Sequence, residues 1–163
     1  MEIEEKITSL GLQLPEVAKP VASYIPAVQS GNLVFISGQI PFVHGKLLCR
    51  GKLGKEIDLE KGYECARIAV MNCIAALKSV IGDLDKVKRI VKITGYVNSA
   101  AGFEDQPKVL NGASDLVIEI FGEKGRHSRT AIGTNELPLA APVEVDLIAE
   151  IQQQKEAEEN EQI

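Results

Sequence analysis

The chain has 163 residues, 45% of them hydrophobic and 25% charged, with a formal net charge of −5. That profile fits one soluble globular domain, long enough to bury a core without disulfides or metal. The acidic balance argues against a general nucleic-acid or anionic-membrane binder, which needs positive charge to displace counterions.

The opening MEIEEKITSL is acidic at once and has no long apolar run. It reads as neither a signal peptide nor a membrane span, so a reduced, cytoplasmic setting is expected. Ile3 to Leu10 reads as a short amphipathic helix stopped by Gly11, followed by the proline-punctuated connector LQLPEVAKP. Ala27–Gln29 and Leu33–Ile36 are apolar runs around Ser30-Gly31-Asn32, a hairpin signal. HGKLLCRGKLGKE is polar and dotted with glycine, and reads as a loop or a second, irregular hairpin. It lacks Gly-Lys-Ser/Thr opening a helix and is not a phosphate loop.

Asp58 to Ile81 is the strongest helical segment. Asp58 suits the cap, and Gly62, Ala66, Ala69, Val70, Cys73, Ile74, Leu77 and Val80 share one stripe that ends at Gly82. The small residues in it suggest close packing onto a sheet. Val87 to Ser99 reads as a long strand with Val91, Ile93 and Val97 on one face and Lys92, Thr94 and Tyr96 on the other. A second helix begins near Pro107, with Val109, Ala113, Leu116, Val117 and Ile120 as its apolar stripe. Ser128–Thr134 and Val143–Ile151 are the last strands. The domain reading is therefore an amino-terminal helix and connector over 1–20, an α+β domain over 21–152, and a polar tail over 153–163, read as a frayed helix end or disorder.

The order hairpin, helix, strand, helix, strand, strand predicts an α+β domain with two helices on one face of a mixed sheet. The other face is then hydrated or covered by a partner chain. In VEVDLIAEI, Val143, Val145, Leu147 and Ala149 alternate with Glu144, Asp146, Ile148 and Glu150. The connector NELPLAAP is too short for a helical crossover. It suggests that Ser128–Thr134 and Val143–Ile151 are antiparallel neighbours, with Arg129 and Glu144 close together on the helix-free face. Arg129 next to Glu144 is open to two readings: a structural ion pair, or an anion site in which the guanidinium fork grips a carboxylate. His127 is read as a surface or interface residue, because the residue next to Arg129 on a strand points the other way. Two distant histidines, and Cys49, Cys65 and Cys73 without Cys-x-x-Cys spacing, build no metal site.

Two stretches carry a resemblance. PVASYIPAVQSGNLVFISGQIP and SRTAIGTNELPLAAPVEVDLIAE together resemble the amino-terminal and closing signatures of the RidA/YjgF family of reactive-intermediate imine deaminases, in a branch distinct from the best-studied one. The resemblance covers roughly Tyr24 to Glu150 and implies a chorismate-mutase-like fold, a homotrimer with a central barrel of sheets, and ligand clefts between subunits. It implies that Arg129 grips a substrate carboxylate, Glu144 positions the attacking water, Tyr24 lines the cleft and Gly38 lends it backbone. Ala131 stands where many members carry cysteine, so that thiol is missing. Asn111 matches the polar residue on the second helix, with Ser114 competing. The implied reaction is hydrolysis of small 2-imino or enamine acids, such as 2-iminopropanoate or 2-iminobutanoate, without metal or organic cofactor. The alternatives are a trimeric metabolite-binding protein without turnover and, with less support from an acidic chain poor in aromatics, an endoribonuclease or translation inhibitor. No nucleic-acid or membrane partner is expected.

Overall fold

A computed structural model describes residues 1–153 apart from 18, 20 and 21. From residue 154 onward, the expected tail lies outside the described residues. In chain order the elements are α1 (Glu2–Ser9), β1 (Ala27–Ser30), β2 (Leu33–Gln39), β3 (Phe42–Val43), β4 (Lys46–Leu47), α2 (Leu59–Ile81), β5 (Val87–Asn98), α3 (Gln106–Phe121), β6 (Ser128–Thr134) and β7 (Val143–Ile151). The fold is the expected α+β class, and the glycine-dotted stretch supplies the turn and second strand of a small β3–β4 hairpin whose first strand, Phe42–Val43, precedes it. Among the described residues, no helix is long and apolar enough to cross a membrane.

Local chemistry sets the helix boundaries. Asp58 accepts a hydrogen bond from the Lys61 amide at 2.8 Å and caps α2. Gly82, at φ +79°, ends that helix by donating its amide to the Lys78 carbonyl. The buried stripe of α2 finishes on Ile81, whereas Val80 is exposed. Pro107 lies in the first turn of α3. Asp85 accepts from the Glu2 and Ile3 amides at 2.8 and 2.9 Å, placing a carboxylate at the positive end of α1 and docking that helix.

The five-stranded sheet runs β1-β2-β7-β5-β6, with β5 and β6 parallel and the other pairs antiparallel. This corrects the expectation that β6 and β7 are neighbours: β5 lies between them. Two interstrand steps are only about 10 Å, and the eight residues from 135 to 142 easily span that distance. The connector is tied over the end of β5, where Asn98 donates its amide to the Pro142 carbonyl and its side chain to the Ala141 carbonyl.

One face of the sheet carries the core. Val34, Ile36, Ile90, Ile93, Val97, Val143, Val145, Leu147 and Ala149 are buried together with the apolar sides of α2 and α3. On β5 the inward residue is Ile90 and not Val91. The pairing with β7 breaks between Val87 and Arg89 and again between Ile90 and Lys92, so an extra residue shifts the alternation twice. The small residues Gly62 and Ala66, expected against the sheet, meet the loop and α3 instead. A Cβ on Gly62 would strike Leu53, and Gly112 of α3 lies against the Tyr63 carbonyl and Ala66. Cys65 and Cys73 are small core residues whose thiols burial pushes up. The opposite face is open: Val28, Phe35 and Ile132 are 50%, 43% and 45% exposed on it.

Candidate functional site

Residues paired in register across neighbouring strands share a face. Arg129 is in register with Ile93, and Ile93 with Leu147, both of which face the helices. Arg129 therefore lies on the helix side, at the β6 edge. Glu144 is in register with Tyr96 on the open face. The expectation that the two share the helix-free face is overturned. Within one protomer they sit on opposite faces, two strands apart, and form no ion pair.

Two groups of side chains result. The first is held between α3 and β6. Asn111 and Ser114 are three positions apart on α3, so both overhang the same strand. Arg129 Nη1 donates to Asn111 Oδ1 at 2.9 Å and to Ser114 Oγ at 3.2 Å. Both second-helix candidates thus touch the arginine. Arg67 and Arg126 pair with carboxylates, those of Glu119 and Glu123. Arg129 is fixed by neutral oxygens, and no carboxylate among the described residues engages it. Both Nη1 contacts come from the helix, which leaves the Nε–Nη2 edge for a bidentate anion. Ala131, two residues on, is half-buried against the core on the same side.

The second group lies on the open face. The β2–β7 register slips between Ile36 and Gln39, and the Glu144 side chain lies over Gly38 at that irregularity. A Cβ on Gly38 would come within 2.5 Å of Glu144 Oε1, so any larger residue would push the carboxylate from this position. Tyr96 Oη donates to Asp146 Oδ2 at 3.2 Å. Burial, and then the charge of Asp146, push the Glu144 carboxyl above its ordinary value. Burial also raises Asp146, opposed by hydrogen bonds from Tyr96 and Thr94 and by the charge of Lys92. A half-buried acid with a raised pKa holds its proton more readily than a solvated one and is a candidate for proton transfer. Tyr24 is 53% exposed just outside this group, where Ser37 Oγ donates to the Ile25 carbonyl at 2.7 Å.

The sequence-predicted residues thus divide: Arg129, Asn111 and Ala131 on one side, Glu144, Gly38 and Tyr24 on the other. Sequence reasoning missed a link in the first group. His127 is half-buried, and its Nε2 lies 2.9 Å from Ser114 Oγ. The signal was its spacing: two residues before Arg129 shares the arginine's side, whereas an immediate neighbour does not.

Three kinds of similarity bear on this arrangement. The family described as "YjgF/chorismate mutase-like, putative endoribonuclease" matches residues 4–151. The curated protein TCP17 of Trypanosoma cruzi is 39% identical over 150 residues, covering 91% of this chain and 94% of that one. A 2-iminobutanoate/2-iminopropanoate deaminase of Dermatophagoides farinae is 28% identical over 142 residues, 86% of this chain and 95% of that one. The crystal structure of Atu1372 from Agrobacterium tumefaciens superposes with a TM-score of 0.87 at 40% identity and covers 92% of each chain.

Proposed function

The chain belongs to the YjgF/chorismate mutase-like family, and from that premise we propose that it hydrolyses small 2-imino acids to 2-oxo acids and ammonia. The observation that carries this reading is Arg129, whose guanidinium is anchored through Nη1 by neutral groups and keeps a two-donor edge for a carboxylate. At ~4 Å and an effective dielectric of ~20, that attraction is worth roughly 4 kcal/mol before desolvation is deducted. Water adds to the electrophilic C=N carbon and passes one proton to the nitrogen; the resulting hydroxyl then gives up its second proton to the nitrogen, and the C–N bond breaks as the C=O bond forms, releasing ammonia. Glu144 orients that water and carries its proton.

Arg129 and Glu144 lie apart within one protomer. The reading therefore places the reaction between copies of the chain in a homotrimer, with the Arg129 edge of one protomer facing the Glu144, Gly38 and Tyr24 group of the next. The open sheet face, with exposed Val28 and Phe35, supports such an assembly. The separation also favours a second reading: binding of small carboxylates without turnover, which needs only Arg129.

The test generates 2-iminopropanoate or 2-iminobutanoate in situ and follows its loss with and without protein. The expected result is loss faster than in buffer, with kcat reduced by roughly 10²–10⁴-fold in Glu144→Gln. A folded protein that binds 2-oxobutanoate yet leaves the imine's decay at the buffer rate would establish the binding-only reading.

A further inference from the structure

We propose that His127 is a positioning residue for Arg129, acting through Ser114. The proposal rests on the reading of Arg129 as a carboxylate clamp and adds what holds that clamp in place.

The geometry defines a directed hydrogen-bond chain. His127 Nδ1 is 2.6 Å from the Gly125 carbonyl oxygen, which can only accept, so Nδ1 carries the proton. In the neutral ring Nε2 is then an acceptor, and Ser114 Oγ, 2.9 Å away, donates its hydroxyl hydrogen to it. With that hydrogen committed, the serine oxygen presents a lone pair to Arg129 Nη1 at 3.2 Å. The imidazole thus sets the direction of the hydroxyl, and the hydroxyl sets one of the two bonds that orient the guanidinium.

The far end of the chain is equally fixed. Gly125 is buried in the turn Gly122–Gly125. A Cβ there would lie 2.5 Å from the Val117 carbonyl oxygen and 3.0 Å from Ile118 Cα, so the turn presses directly on the α3 backbone. The helix that carries Ser114 also holds the carbonyl that fixes the histidine tautomer. Arg129 stands on an edge strand, paired only with β5 among the described residues, and this closed loop compensates for the missing second neighbour. Asn111 supplies the other bond from an exposed position.

The experiment measures binding of 2-oxobutanoate, a stable carboxylate, and of its uncharged amide by calorimetry, alongside kcat and KM for the imino acid. Ser114→Ala should weaken carboxylate binding about tenfold and His127→Ala about fivefold, the range expected for one or two modest hydrogen bonds. KM should rise while kcat changes by less than about twofold, and binding of the amide should not change. Adding His127→Ala to Ser114→Ala should cost nothing further, because among the described residues the serine is the one hydrogen-bonded link from the ring to the arginine. His127→Gln, whose side-chain oxygen can accept the serine proton, should recover most of the loss.

Additive losses, or unchanged carboxylate binding in His127→Ala, would overturn the proposal. If the wild-type protein binds no carboxylate at all, the clamp reading fails, and the chain is read instead from the Arg129 Nε–H resonance in ¹⁵N-labelled protein, assigned by its loss in Arg129→Lys. That resonance should shift in His127→Ala and stay in place in His44→Ala, a histidine exposed in the β3–β4 turn. A resonance that ignores His127→Ala refutes the chain whatever the protein's activity.

Discussion

The two faces of the sheet follow opposite rules. Along β7, Val143, Val145, Leu147 and Ala149 are fully buried under the helices, while Glu144, Asp146, Ile148 and Glu150 are only half-buried on the other side. The covered face is completed within the chain: apolar groups meet apolar groups, and glycine stands where α2 and α3 touch. The open face is incomplete. It shows Val28, Phe35 and Ile132 to solvent and sets the carboxylates of Glu144 and Asp146 near each other in a partly dry position. The covered face makes the fold, and the open face leaves apolar side chains and half-buried carboxylates without a covering layer in the protomer. Arg129 crosses that division, since it stands at the edge of the covered face with one donor edge left over.

The severest break of this division is on the covered side. Gly112 lies against the Tyr63 carbonyl and Ala66 at the α2–α3 contact. Gly112→Leu should force the helices apart at a cost of at least about 3 kcal/mol. The transition temperature should fall by roughly 10 °C or soluble protein should be lost. Thermal unfolding followed by circular dichroism decides it, and an unchanged transition would mean that the contact is not close. Phe35→Ser, on the open face, should leave the protomer's own transition nearly in place.

Much of this architecture is legible in the sequence, because both long helices and β7 have clean periods. Asp58 was readable as a cap and Gly82 as a stop, since each acts on its own neighbours. The failures are non-local. The extra residues at Lys88 and Val91 change which side of β5 points inward, and a two-residue period carries no trace of them. The placement of β6 beyond β5 depends on a parallel pairing formed through α3, which the short β6–β7 connector does not reveal. At the site, Arg129 and Glu144 stand out from residue chemistry and strand alternation, and Tyr24 and Gly38 from the resemblance, whereas the distribution of the four over two faces follows only from strand order. The role of Ser114 required knowing which strand α3 overhangs.

Next in size is the arginine. Arg129→Lys keeps the charge but loses the planar fork that can hold Asn111 and Ser114 on one side and a carboxylate on the other. The expected result is a loss of about 100-fold in kcat/KM, carried mostly by KM, as two charge-assisted hydrogen bonds would give. The thermal transition should move by no more than about 2 °C, because an edge position outside the apolar core carries little stability. A large thermal loss would show that Arg129 belongs to the covered face in energy as well as in register, and the comparison would then have no exception.

The smallest expected effect concerns which charge, if any, reaches the open face. Burial and the charge of Asp146 raise the folded pKa of Glu144 above its unfolded value. Between those two values the folded protomer binds more protons than the unfolded chain, so stability falls as pH rises from about 4.3 through the raised value and returns on acidification. In dilute protein, where protomers stand alone, Glu144→Gln removes that cost, so its transition at pH 7 should lie slightly above wild type and its pH slope should be flatter. In concentrated protein, the proposed trimer brings Arg129 of the partner subunit to this carboxylate and favours its charged form. The same substitution should then be slightly destabilising at pH 7. Scans at two protein concentrations and at pH 5 and 7 read the sign. A substitution that stabilises equally at both concentrations would mean that no cation meets Glu144, and the two halves of the site would have to work apart.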